Sequence, residues 1–241
     1  MLLAAAFLVS APSGRPLAAR LASDFLPMPG WFASQPVIRR YFIRITILWG
    51  GIQLANAGIG LWGDLRDVTP AEWRRVLDVN LMGVIHGVHA IYPRMVRRGR
   101  GHLVNIASVA GLAPYPLALP YTTTKHAVVG MSLALRAEAR AHGVAVGVAC
   151  PGAIETPIWQ RSTVRGVLDR ARTRFADRLP RRMSADKCAA AIVAGIAADR
   201  AVIPVTLEAH AAWWLARHAP WLANRLAQRV AGRVLAYAAP A

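Results

Sequence analysis

The stretch SVAGLAPYPLALPYTTTK, residues 108–125, decides how the rest of the chain is read, because it sets a serine, a tyrosine and a lysine at a spacing suited to proton transfer. Lys125 follows Tyr121 by four residues, so on a helix the two share a face one turn apart. An ammonium there opposes the phenol's proton with a positive charge and is expected to lower a pKa that starts at about 10. Ser108, delivered by a strand-end loop, would hydrogen-bond a substrate oxygen and share it with Tyr121. Such a trio is an acid/base site for a carbonyl or an alcohol.

Taken alone, Tyr-x-x-x-Lys fits many surface helices, and the flanking sequence supplies its context. Residues 102–108, HLVNIAS, form an apolar burst of strand length after the breaker Gly99-Arg100-Gly101. Residues 126–143, HAVVGMSLALRAEARAHG, carry helix periodicity up to Gly143. Residues 144–157, VAVGVACPGAIETP, read as a second buried strand ending at a Pro-Gly turn. Strand, serine, tyrosine helix, strand is a βαβ order, so the sheet is expected to be parallel.

Two further motifs precede it. Asn56-Ala57-Gly58-Ile59-Gly60 follows the short apolar run IQLA, and its glycines permit a sharp turn or a close approach of backbone to a ligand. Asn80, in VLDVNLMG, lies inside a helical pattern where a short amide is a poor helix former, so it marks either a kink or a functional position.

In this order the motifs resemble those of the short-chain dehydrogenases/reductases, with the resemblance running over about residues 51–206. What it implies is a Rossmann-like, doubly wound α/β domain using NAD or NADP. Tyr121 would be the general acid in reduction and the base in oxidation. Lys125 would tune it and hold the nicotinamide ribose, Ser108 would position the reacting oxygen, and Asn80 would anchor a water in a proton relay. Asn56, Ala57 and Gly58 would shape the adenosine side of the cofactor pocket. Pro151, Gly152, Ile154 and Thr156 would meet the nicotinamide carboxamide. The resemblance also implies a homo-oligomer, dimer or tetramer, built through long helices that include residues 131–140.

The N-terminal third departs from the family pattern. A dinucleotide fold holds the pyrophosphate on a Gly-rich loop and the helix that follows it, with a ribose-reading residue about 20 positions further on. Here residues 4–10, AAAFLVS, are the candidate first strand, SAPSG the loop and PLAARLA the helix, with Gly14 alone where three glycines are expected. Only 55 residues precede Asn56, against two units of roughly 30 each. Residues 40–49, RYFIRITILW, read as one strand. The fold is therefore expected to be abbreviated at its N-terminal edge, with NAD or NADP as the cofactor. A non-catalytic relative that kept the scaffold but not the cofactor is the alternative to an enzyme.

Composition sets the remaining expectations. A chain of 241 residues accommodates one core, divided here into an atypical segment 1–50, a catalytic core 51–206 and a C-terminal tail 207–241. Hydrophobic residues make up 55% and charged ones 17%, with mean hydropathy +0.34, which points to oligomer interfaces or membrane contact. No purely apolar run reaches membrane-span length. The opening LLAAAFLV lacks the basic residues of a secretion signal. Cys150 and Cys188 show neither disulfide nor metal spacing, consistent with a reducing cytoplasm and no bound metal.

The net charge of +17 comes from 29 Lys and Arg against 12 Asp and Glu. No helix-turn-helix, zinc or RNA-stacking motif accompanies it, so solvated arginine faces are favoured over nucleic-acid binding. In the tail, Arg225, Arg229 and Arg233 recur every four residues beside Leu222, Leu226, Val230 and Val234, after Trp213, Trp214 and Trp221. That pattern suits either a helix lying at a lipid interface or one packed on a neighbouring subunit. Pro220 is expected to split the tail into two helices. Residues 158–183 occupy the place of a substrate lid, with Ile158 and Trp159 as candidate pocket walls.

Overall fold

Central to the fold is strand β3, Val144–Cys150, whose residues are all buried or half-buried, as expected of a strand covered on both faces. It lies between β2, Gly101–Ile106, and β5, Val202–Pro204, and both pairings are parallel. The computed structural model describes residues 58–156, 158–166, 168 and 182–237. A second, short parallel pair joins β1, Leu61–Trp62, to β4, Thr163–Val164.

Period-two alternation divides the core. Val144, Val146, Val148 and Cys150 belong to two clusters that also take in Leu103, Ala107, Leu112, Val128 and Ala139. Leu103 comes from β2, Ala107 and Leu112 from the segment that follows it, and Val128 and Ala139 from α3, Leu119–Arg140, while Val84 and Val88 come from α2, Gly83–Arg97. On the opposite face Ala149 joins Ile203, Val205, Cys188 and the half-buried Ile192 and Ile196 of α5, Ala185–Ala197. Helices thus cover both faces of a parallel sheet, which is the doubly wound arrangement expected from the sequence.

The helix that reaches α2 begins as α1, Pro70–Leu77, where Thr69 and Glu72 form a reciprocal capping box and Pro70 fills the first helical position. Between α1 and α2 the turn Asp78–Met82 widens to π geometry, the irregularity that Asn80 signals in the sequence. After α3 the chain reverses at Gly143, whose φ of +68° is the left-handed conformation that glycine adopts without strain. Beyond β5 run α6, Leu207–His218, and α7, Pro220–Tyr237, divided at Pro220 as expected. A four-residue helix, α4, Ile158–Arg161, precedes β4.

Both cysteines are free and buried. Among the described residues no helix is long and apolar enough to cross a membrane. The candidate first strand, the Gly14 loop, the strand over residues 40–49 and the expected abbreviated edge all lie outside the described residues, as do Asn56 and Ala57.

Candidate active site

Helix α3 carries both Tyr121 and Lys125 in its first two turns, and the Lys125 ammonium lies 5.5 Å from the centre of the Tyr121 ring. Ser108 follows β2 and caps the short turn Val109–Gly111. Its hydroxyl accepts from the Ala110 amide at 3.3 Å and donates to the Pro151 carbonyl at 3.5 Å. Gly111 lets that turn lie directly on the helix, because a Cβ there would stand 2.6 Å from the backbone carbonyl of Lys125. Absence of one side chain therefore sets the distance between the serine turn and the tyrosine helix.

Asn80 is 1% exposed, and its amide grips the backbone of Ile59 twice. Oδ1 accepts from the Ile59 N–H at 2.8 Å and Nδ2 donates to the Ile59 carbonyl at 3.0 Å. Nδ2 also reaches the Thr124 hydroxyl at 3.5 Å, which in turn donates to the Tyr121 carbonyl at 2.7 Å. The π turn points the amide inward, so Asn80 ties the segment after Gly58 to the helix that carries Tyr121 and Lys125. At Gly58 a Cβ would stand 3.5 Å from Asn80 Oδ1 and 3.7 Å from Lys125 Nζ, which places this glycine beside the lysine.

Electrostatics here follow burial. Lys125 is 4% exposed, and loss of hydration lowers its pKa to about 8. Its ammonium donates to the Ile106 carbonyl at 3.2 Å. Burial also pushes the Tyr121 phenol above its ordinary value, with the Ser108 hydroxyl pulling in the opposite direction. The expected depression of the phenol by Lys125 does not govern it: burial of the hydroxyl dominates, and the group that pulls the value down is Ser108. Behind them the Cys150 thiol is pushed up to about 12 by burial, so it stays neutral.

The loop after β3 is pinned by the start of α6. Glu208 Oε1 accepts from the Ala153 amide at 3.0 Å, and a Cβ on Gly152 would collide with both Thr206 Oγ1 and Glu208 Oε1. Thr206 is buried and caps α6 by accepting from the Ala209 amide at 3.3 Å. Pro151 accepts from the Val109 amide at 2.8 Å, so the loop is also joined to the serine turn. Ile154 packs with Cys188, Ile203 and Val205 and bridges Met183 through its backbone, whereas Thr156 is exposed.

Ser108, Tyr121, Lys125, Asn80, Gly58 and the Pro151-Gly152 loop are therefore gathered at one end of the sheet. Sequence reading missed the residues that hold them there. Thr124 and Glu208 carried no motif of their own. Trp62 and Tyr115 were also missed, although Tyr115 lies within residues 108–125, between Ser108 and Tyr121. The Trp62 ring stands 6.0 Å from that of Tyr121 and 5.8 Å, edge-on, from that of Tyr115. An aromatic wall thus flanks the phenol.

The sequence profile described as short chain dehydrogenase matches residues 25–165, more than half of the chain. The chain belongs to the short-chain dehydrogenase family. The match begins well before residue 51, where the motifs become legible, so residues 25–50 carry family signal that periodicity does not reveal.

Among its relatives, the 3-alpha-(or 20-beta)-hydroxysteroid dehydrogenase of Mycobacterium tuberculosis is 39% identical over 112 residues, which are 46% of this chain and 43% of that protein. A short chain dehydrogenase/reductase from Burkholderia phymatum, solved in complex with NAD, is 31% identical with a TM-score of 0.61, over 70% of this chain and 65% of its own. A short-chain dehydrogenase from Sphingobium yanoikuyae in complex with NADPH is 28% identical with a TM-score of 0.58, over 69% and 61%. The chain spans 30% to 60% of the length of the curated relatives it matches.

Proposed function

We propose that this short-chain dehydrogenase interconverts an alcohol and a carbonyl with NAD or NADP, using Tyr121 as the acid/base. The observation that carries this reading is the burial of Ser108, Tyr121 and Lys125 together at the carboxyl ends of parallel strands, the place where doubly wound folds bind their ligands. In reduction the Tyr121 hydroxyl gives its proton to the carbonyl oxygen; in oxidation the phenolate takes the proton of the alcohol. Ser108 donates to the same oxygen and fixes its position, leaving the longer bond to Pro151. A nicotinamide bound alongside supplies the hydride exchange with the substrate carbon.

The residues present fit such a cofactor on its nicotinamide side. Lys125 has three N–H donors, and among the described residues the Ile106 carbonyl takes one, which leaves donors for ribose hydroxyls. The missing side chain of Gly58 keeps space open next to that amine. Pro151, Gly152 and Thr156 would meet the carboxamide, while Asn56 and Ala57 would lie toward the adenosine. Asn80 serves as the brace between these parts. The aromatic wall of Trp62 and Tyr115 supports a small-molecule substrate with an apolar skeleton around its reacting carbon.

The family's usual homo-oligomer, dimer or tetramer, is the proposed assembly, and the cytoplasm the proposed compartment. Titrating NADH and NADPH against the folded protein by fluorescence tests the reading directly. A saturable signal with at least one of them, kept in Tyr121→Phe while turnover of a panel of apolar ketones is lost, is the expected result. Absence of any saturable signal would leave only the non-catalytic alternative.

A further inference from the structure

Helices α6 and α7 carry features that the acid/base site does not use. Residues 209–237 contain no Asp or Glu, while Arg217, Arg225, Arg229 and Arg233 all stand exposed. On α7 three neighbouring stripes each step by four residues, about one helical turn. Ala223, Ala227 and Ala231 form the first and turn toward the protein, with Ala223 buried and the other two half-buried. Leu222, Leu226, Val230 and Val234 form the second. Trp221, Arg225, Arg229 and Arg233 form the third.

Exposure separates this helix from one that only covers the core. Trp221 is 66% exposed, Val230 54% and Leu226 42%, and Trp214 on α6 is 60% exposed. Basic and apolar side chains thus stand next to each other in water along one flank of α7, with an exposed tryptophan at its head.

We propose that this flank docks on an anionic lipid surface. Arginines there would meet phosphate headgroups while their aliphatic stems lie beside Leu226 and Val230, and Trp221 would sit at headgroup depth, where amphipathic rings are favoured. Two other occupants fit less well. A second copy related by a twofold axis would bring the arginine stripe against itself, like charge to like charge. A nucleic acid would satisfy the arginines but leave Leu226 and Val230 without an apolar partner.

Flotation of the full chain with vesicles of equal parts phosphatidylglycerol and phosphatidylcholine, and with vesicles of phosphatidylcholine alone, tests this. The chain is expected to float with the first and not the second. Replacing Arg225, Arg229 and Arg233 by Gln together should weaken the partition about fivefold per arginine, on the order of a hundredfold in all. Replacing the exposed Arg97, Arg98 and Arg100 by Gln removes the same charge elsewhere and is expected to cost only a few-fold. Leu226→Ser with Val230→Ser should also weaken binding, at an unchanged net charge. The proposal is overturned if the wild type does not float, if both arginine triples lose equally, or if the Leu226 and Val230 double variant floats like the wild type, the behaviour of a charge-only contact of the nucleic-acid kind.

Discussion

At the carboxyl ends of β2, β3 and β5, polar groups stand buried with hydrogen-bonding capacity left over among the described residues; at the amino ends of the same strands, charges are closed on one another. The first end holds Ser108, Tyr121, Lys125 and the Pro151-Gly152 loop. At the second, Arg136 donates to Asp199 Oδ1 at 3.0 Å and to its carbonyl at 2.8 Å, and Arg140 donates to Asp199 Oδ2. Arg136 also caps the Val146 carbonyl, and Asp199 occupies the left-handed region at φ +48°. One sheet thus has a proposed reactive end and a closed end. What separates them is burial and partnering: the first end buries polar groups with donors to spare, the second pairs partly exposed charges with each other.

Substitutions at the two ends should therefore fail in different ways. The largest effect is expected at the phenol: Tyr121→Phe removes the proton carrier and should lower turnover by about a thousandfold, within the usual range for general acid/base groups, while the unfolding midpoint stays near that of the wild type. Equal turnover would mean that the proton comes from elsewhere. Glu208→Ala should follow, raising the cofactor KM about fivefold with kcat nearly unchanged, because the Ala153 amide loses its acceptor. Glu208→Gln keeps an acceptor oxygen and should recover most of the loss, a rescue that general loosening of the fold would not produce.

Lys125 adds a pH signature that belongs to the reactive end alone. Its folded pKa of about 8 lies below the ordinary lysine value of 10.5, so between these pH values the unfolded chain holds a proton that the folded one has released. Stability should rise with pH from about 8 to 9, by about 1 kcal/mol. Above the ordinary thiol value of 9.0 the rise is opposed, since Cys150 stays protonated in the fold until about 12. Denaturant midpoints measured across this range should lose the rise in Lys125→Met, and a rise that persists there would assign it to another group.

The smallest effect is expected at the closed end. Arg136→Met should lower the unfolding midpoint by a few degrees and leave cofactor KM and kcat alone. A change in KM there would join the two ends and weaken the distinction.

Much of the reactive end is legible in the primary sequence because its signals are local. The four-residue step from Tyr121 to Lys125, the apolar run before Ser108 and the Pro-Gly after β3 are each set by one element's period or turn chemistry. Asn80 shows in the same way, as an amide out of place in a helix, but its partner does not: Ile59 lies 21 residues away and is met through its backbone, which carries no identity in sequence. Glu208 is 55 residues from Ala153 and reads as an ordinary first-turn acid. Trp62 and Tyr115 come together across a similar gap.

The pKa balance at Tyr121 was invisible for a related reason. Spacing says that a cation stands nearby; only packing says how much water is left, and here burial raises the phenol's pKa, opposed by the Ser108 hydroxyl.

By itself the order of residues determined the family, the parallel βαβ unit and which side chains are the candidates for proton transfer, because each rests on short-range periodicity and on side chains with one dominant chemistry. Tertiary structure alone decided which polar groups are braced, which are left for a ligand, and where arginines and tryptophans remain in water. Those properties depend on burial and on contacts between segments far apart in the chain, and no local pattern encodes them.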